Sequence, residues 1–313
     1  MSKPILAVFG ATGNQGFSVA SHVLSTPSLS SKYTVRALSR NTSHPSMATL
    51  ASQGAQLASA DMDDASTLPS ALKDVQYLFL NTPTPKDYST ARAVESRQVK
   101  TVCRAALAAG VRYIIFSSMS MPLNISNGAL QRVQHFDVKA EAELYIRRLP
   151  IQSAFFAPAS FMQNFTGMMK PRPSQENDGT YVLADVLPGN VRVPYIDITD
   201  TGKWVGAILA EPDKYNGKFF AAAEAFYTSD EVAEILSKVT GKTVRHVQLP
   251  DQVVKGFFPQ NVSEQMFEMF ALFRDYGYYG EDEEELVKWA REQVEGEVTG
   301  LEAFLRKTDY KLE

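Results

Sequence analysis

The sequence predicts an α/β fold of Rossmann type: a doubly wound parallel sheet with a smaller α+β C-terminal lobe. Three observations predict it. An apolar run over residues 5–9 ends in Gly10-Ala-Thr-Gly13-Asn-Gln-Gly16 and passes at once into a helical pattern (Phe17, Val19, Ala20, Val23, Leu24). Apolar strand-like runs then alternate with helical segments up to residue 157. Several of these runs are apolar throughout, as strands covered on both faces must be.

Each element follows from its pattern. Residues 33–38 read as a strand, 46–53 as a short helix, and 55–58 as a brief strand running into Asp61-Met62-Asp63. Residues 67–72 read as a helix and 75–80 as a strongly apolar strand. A long helix over 91–109 ends at Gly110, a good helix-terminating residue. A buried strand over 111–117, a helix over 131–148 and a strand over 151–157 complete the first half. Crossovers between parallel strands are right-handed, which makes the sheet doubly wound.

After Pro158 the pattern changes to short strands (179–183, 191–193, 219–222) and helices (201–209, 229–239, and a Phe/Met-rich 263–273). The expected division is a dinucleotide-binding domain over 1–157 and a smaller lobe over 158–313. The lobe is interleaved with the first domain and closes a cleft against it. The acidic run 281–285 reads as a solvated helix start, and the Phe/Met stripe as core or a substrate wall.

Composition narrows the function. With 31 basic against 35 acidic residues and no basic stripe, direct nucleic-acid binding is disfavoured. The single cysteine, Cys103, excludes an internal disulfide and a multi-thiolate zinc site, and no metal is expected. It lies on an apolar helix and reads as a buried structural thiol. No apolar run reaches the ~20 residues of a membrane span. The first strand begins too early for a leader peptide. A cytoplasmic protein, with nuclear residence also open, is the expectation, and the glycosylation pattern at Asn261 is set aside.

The glycine turn has a specific chemistry. Gly10 allows a tight turn, Gly13 close approach of a ligand, and Gly16 close packing of helix on strand. The helix N-terminus then offers N–H groups and a positive dipole end to a pyrophosphate. The strand 33–38 should end beside this turn, and it ends in Ser39-Arg40-Asn41. An acid there would bind ribose hydroxyls; an arginine matches a 2′-phosphate instead, so NADP(H) is expected over NAD(H). The other strand tips point to the same crevice. Asp61 and Met62 are placed to meet adenine, Asn81 and Thr82 the ribose or the nicotinamide side, and Ser117-Ser118 follows the next strand.

The glycine turn, Ser39-Arg40-Asn41, His135-Phe-Asp-Val-Lys139 and Phe161-Met-Gln-Asn-Phe165 together resemble the NmrA-like family. This is an atypical branch of the short-chain dehydrogenase/reductases with redox-sensing and fungal members. The resemblance runs over nearly the whole chain and weakens beyond about Leu249. It implies NADP(H) contacts from Gly10, Ala11, Thr12, Gly13, Asn14, Gln15, Gly16, Arg40, Asp61, Met62, Asn81 and Thr82. It further implies contacts from Arg97, Lys139, Phe161, Met162, Gln163 and Asn164.

Active short-chain dehydrogenases use a Tyr-x-x-x-Lys pair on one helix face: the lysine holds the nicotinamide ribose and the tyrosine donates the proton. Here Lys139 is present, but His135 stands at the tyrosine position, with Ser117, Ser118 or Ser120 as the candidate serine partner. Two functions follow. One is an NADP(H)-binding regulator that senses cofactor redox state or occupancy and acts through a protein partner such as a transcription factor. The other is an NADPH-dependent reductase of a small carbonyl, quinone or imine-like substrate, with Lys139 aided by His135 or a serine. A missing acid costs about 10²–10⁴ in rate, so the regulator reading leads.

Overall fold

The computed structural model describes residues 2–85 and 87–312. The apolar runs of the first half form β1 (Ile5–Val8), β2 (Thr34–Ser39), β3 (Gln56–Ser59), β4 (Val75–Leu80), β5 (Tyr113–Ser117) and β6 (Gln152–Pro158). Between them lie α1 (Asn14–Ser25), α2 (Pro27–Ser30), α3 (Pro45–Ser52), α4 (Leu68–Ala71), α5 (Ala91–Ala108), α6 (Pro122–Ile125) and α7 (Gln134–Ile146). The second half supplies β7 (Ser160–Phe161), β8 (Arg172–Pro173), β9 (Tyr181–Asp185), β10 (Arg192–Ile196), β11 (Phe219–Ala222), β12 (Ala225–Thr228) and β13 (Val244–Gln248). Its helices are α8 (Thr201–Ala210), α9 (Ser229–Thr240), α10 (Asp251–Lys255), α11 (Ser263–Asp275), α12 (Glu283–Glu292) and α13 (Leu301–Lys307).

The central sheet has the order β11-β6-β5-β4-β1-β2-β3, every pair parallel. Both faces are covered, which is why its strands lack polar alternation. In β1, Leu6 and Val8 enter one core layer while Ala7, with Phe9 just past the strand, enters the other; in β5, Tyr113 and Ile115 oppose Ile114 and Phe116. Fully burying one such large side chain stabilises by roughly 1.5–3 kcal/mol. The strand order reverses direction between β1 and β4, the place where parallel α/β sheets open a crevice at their carboxyl ends.

Two glycines seat α8 on α1. A Cβ at Gly202 would lie 2.4 Å from His22 Cβ, and one at Gly206 2.8 Å from the same imidazole. Backbone at Ser18 O, 2.4 Å away, bars a side chain at Gly202, whereas at Gly206 the His22 ring would have to move.

The second half is tied into the first: β11 lies in the central sheet against β6. Two small three-stranded sheets, β12-β10-β7 and β13-β9-β8, form the remainder. The capping box of α9 closes its start: Thr228 accepts from Glu231 N, and the Glu231 carboxylate accepts from Thr228 N. The Phe/Met stripe belongs to the core, with Met266, Met269, Phe270 and Phe273 buried on α11. Cys103 is buried as expected, and burial pushes its thiol up to about 12. Among the described residues no helix is long and apolar enough to cross a membrane.

Candidate functional site

The glycine turn sits at the carboxyl end of β1. Gly10 adopts φ +68°, a left-handed conformation, and Gly13 N donates to Gly10 O at 2.8 Å to close the turn. A Cβ at Gly16 would lie 2.3 Å from Gly10 O, so helix and turn are in backbone contact there. Gly13 is different. A Cβ there would meet only Gly10 O at an ordinary 3.5 Å, so the protein's own packing does not require glycine. Gly13 and Asn14 are exposed, Ala11 is buried, and the start of α1 carries no side-chain cap. Its N–H groups are left for an anion.

The strand tips converge on this turn. Ala11 N donates to Leu38 O at 3.4 Å, which brings the end of β2 alongside. Arg40, just past that end, is exposed. It faces Asp63 closely enough to help hold the Asp63 carboxyl below its usual range, after the larger effects of the Arg97 and Gln98 hydrogen bonds. Arg97 donates to Asp63 at 2.6 Å and is thereby committed to a surface ion pair. Asp61 and Met62 form the tip of β3, where Asp61 N donates to Thr67 Oγ1 at 3.0 Å and Met62 is buried.

The far end of the crevice is closed by side chains. Thr82 and Lys139 are buried beside Glu95 of α5, whose side chain is 1% exposed. Lys139 Nζ donates to Thr82 O at 2.7 Å, Thr82 Oγ1 at 3.1 Å and Glu95 Oε2 at 2.7 Å. Thr82 Oγ1 in turn donates to Glu95 Oε2 at 2.7 Å. An ammonium has three N–H donors, and all three are engaged. Ser117 is buried and donates to Gln15 Oε1 at 2.7 Å, tying β5 to the glycine turn. Ser118 donates to Glu143 Oε2 at 2.5 Å. The Glu143 carboxyl is raised by burial even though Arg147 pairs with it at 2.7 Å.

His135 lies on the same face of α7 as Lys139. Gln265 of α11 shares a 2.7 Å hydrogen bond with His135 Nδ1, and the Phe136 ring meets His135 edge-on at 4.8 Å. Burial, then the Lys139 charge, lowers the imidazole to about 4. It is therefore neutral at pH 7.

The segment Phe161–Asn164 divides. Gln163 is held inside the C-terminal lobe, donating to Asp197 Oδ1 at 2.7 Å and accepting from Ile198 N at 3.2 Å. Met162 has no exposed surface and packs in the core. Phe161, Asn164, Asn81, Thr12 and Gln15 remain partly exposed. Sequence reasoning passed over Glu95, Glu143 and Asp63. The only available signal was a Glu on the inward face of an otherwise apolar helix pattern, with Val99, Val102 and Cys103.

The fold and crevice define the class of a Rossmann protein with a glycine turn at its sheet switch point. The chain belongs to the NmrA-like family, whose model matches residues 2–305. It is 30% identical to an NmrA-like family domain-containing protein of Dictyostelium discoideum, with all of both chains covered. It is 29% identical to the NmrA-like oxidoreductase FrzB of a Cladobotryum species, over 77% of this chain and 75% of that one. Among solved structures, it is similar to NmrA, a negative transcriptional regulator, in complex with NADP. That match has TM-score 0.77 at 21% identity, over 98% of this chain and 95% of that one. It is also similar to the triphenylmethane reductase of a Citrobacter species complexed with NADP(H). There the TM-score is 0.74 at 22% identity, over 98% and 99% of the two chains.

Proposed function

We propose that this chain binds NADP(H) and acts as a dinucleotide-dependent regulator through a protein partner, with a transcription factor as the partner class. One observation supports the choice of regulator over reductase: Lys139, Ser117 and His135 are each engaged within the protein. Lys139 has its donors on Thr82 and Glu95, Ser117 is bonded to Gln15, and His135 is neutral and bonded to Gln265.

The residues fit the group they would hold. Gly13 is exposed and would tolerate a Cβ at ordinary contact, the α1 N-terminus has no side-chain cap, and Arg40 is exposed at the tip of β2. Pyrophosphate would lie on the turn and the 2′-phosphate toward Arg40. When bound, the nicotinamide supplies hydride chemistry; what the chain's own groups supply is position and charge.

A second reading, reduction of a small carbonyl, quinone or imine-like substrate, draws support from curated relatives named as oxidoreductases. It also draws on the four-residue spacing of His135 and Lys139. Titration calorimetry with NADP(H) and NAD(H), followed by an NADPH oxidation assay with aldehydes, ketones and quinones, separates the two. The regulator reading expects binding with little or no turnover. Robust turnover that collapses in His135→Ala overturns it.

A further inference from the structure

Glu95 is a buried carboxylate that the dinucleotide reading does not use. Taking such a group out of water is costly unless it is paired. Yet α5 carries it inward to within 2.7 Å of Lys139 Nζ, and Thr82 at the tip of β4 bonds to both. Its second oxygen, Oε1, is buried and has no hydrogen-bond partner among the described residues. A carboxylate retained with one oxygen unsatisfied is poorly explained by stability alone. Its charge is the property that Thr82 and Lys139 cannot supply.

We infer that Glu95 is a specificity-determining residue whose carboxylate cancels the Lys139 charge at the nicotinamide end of the crevice, so that oxidised and reduced dinucleotide are admitted on similar electrostatic terms. The inference rests on the dinucleotide reading proposed above. The oxidised nicotinamide ring is a cation and the reduced ring is neutral. A bare ammonium repels the first and is indifferent to the second. An ion pair of net charge zero keeps only a dipole, whose effect on the ring is weaker than a bare charge and falls off faster with distance. His135, the other titratable group on this face of α7, adds no charge at pH 7.

The test compares affinities for NADP⁺ and NADPH, by calorimetry and by NADPH fluorescence at pH 7, in the parent chain and three variants. Glu95→Gln leaves a lone cation and should shift the ratio toward NADPH by about tenfold or more. Lys139→Met leaves a lone anion and should shift it the other way. The Glu95→Gln/Lys139→Met double variant is neutral again and should return near the parent ratio. A purely structural role would move both affinities together and leave their ratio fixed. Circular dichroism checks folding. If Lys139→Met does not fold, the Glu95→Gln shift and its reversal in the double variant still decide. Unchanged ratios in folded variants that bind both forms overturn the inference and leave the dinucleotide reading standing. A parent chain that binds neither form overturns both.

Discussion

At the glycine turn, Gly13 and Asn14 are exposed and α1 starts without a side-chain cap; at the other end of the crevice Thr82, Glu95 and Lys139 are buried and bonded to one another. The first end is backbone waiting for a ligand. The second is a side-chain network already satisfied except at one carboxylate oxygen. The contrast teaches that the two ends of one crevice can be finished in different ways. At one the backbone of the glycine turn is open, and at the other the lysine is enrolled in the protein's own hydrogen bonding.

The sharpest way to break the contrast is at two neighbouring glycines. Gly16→Ala places a methyl 2.3 Å from Gly10 O, where backbone cannot yield, and should destabilise the fold by about 3 kcal/mol or more in urea denaturation. Gly13→Val should fold normally and lose dinucleotide binding, because only a ligand competes for its space. Equal stability of the two variants would refute the division of labour assigned to them.

Next in size is the network itself. Lys139→Ala leaves Glu95 buried without its counter-charge and should lower stability by about 3 kcal/mol or more. Adding Glu95→Leu to it should recover much of the loss, since two apolar groups leave no unpaired charge. A Lys139→Ala variant as stable as the parent would mean that the lysine is held in reserve for the cofactor.

Smaller again is the effect of Arg40→Ala, expected to cost about tenfold or more in NADP(H) affinity and little in NAD(H) affinity. Calorimetry with both dinucleotides measures it, and equal losses for the two would place the 2′-phosphate elsewhere.

The smallest effects are in pH dependence, where two histidines act in opposite directions. His135 is lowered to about 4, so below its unfolded value of 6.5 the unfolded chain binds the proton first. Stability should fall as pH drops from 6.5 toward 4, and His135→Gln should flatten that limb. His246 is partly desolvated, but hydrogen bonds and charge from Asp185 at 3.1 Å and Asp230 at 3.2 Å outweigh this and raise it. Its stabilisation is present in full below pH 6.5 and is lost as pH rises through the raised value. His246→Gln should flatten the neutral-to-alkaline limb of melting curves recorded against pH.

What was legible in the sequence follows the same divide. The central sheet announced itself because both faces of β1, β4 and β5 are buried, which leaves continuous apolar runs. The turn was legible because Gly10 and Gly16 answer local backbone demands. Glu95 meets Lys139 across 44 residues of chain and Gln265 meets His135 across 130, and no local spacing encodes such meetings. Strand β13 was hidden for another reason. Val-Arg-His-Val-Gln buries only Val244, so it lacks the apolar run that marks a covered strand. The shift of His135 was equally hidden, since it arises from what packs around the imidazole.

The placement of β11 bears on how this chain is made. β6 is complete at Pro158, but the strand that covers its outer side, Phe219–Ala222, is synthesised some sixty residues later. During that interval a nascent chain carries an apolar parallel strand with an open hydrogen-bonding edge, the kind of surface on which nascent chains aggregate. A polypeptide interrupted after Pro158 would keep that edge permanently. The glycine turn of such a fragment would ride on a sheet with one edge left unpaired.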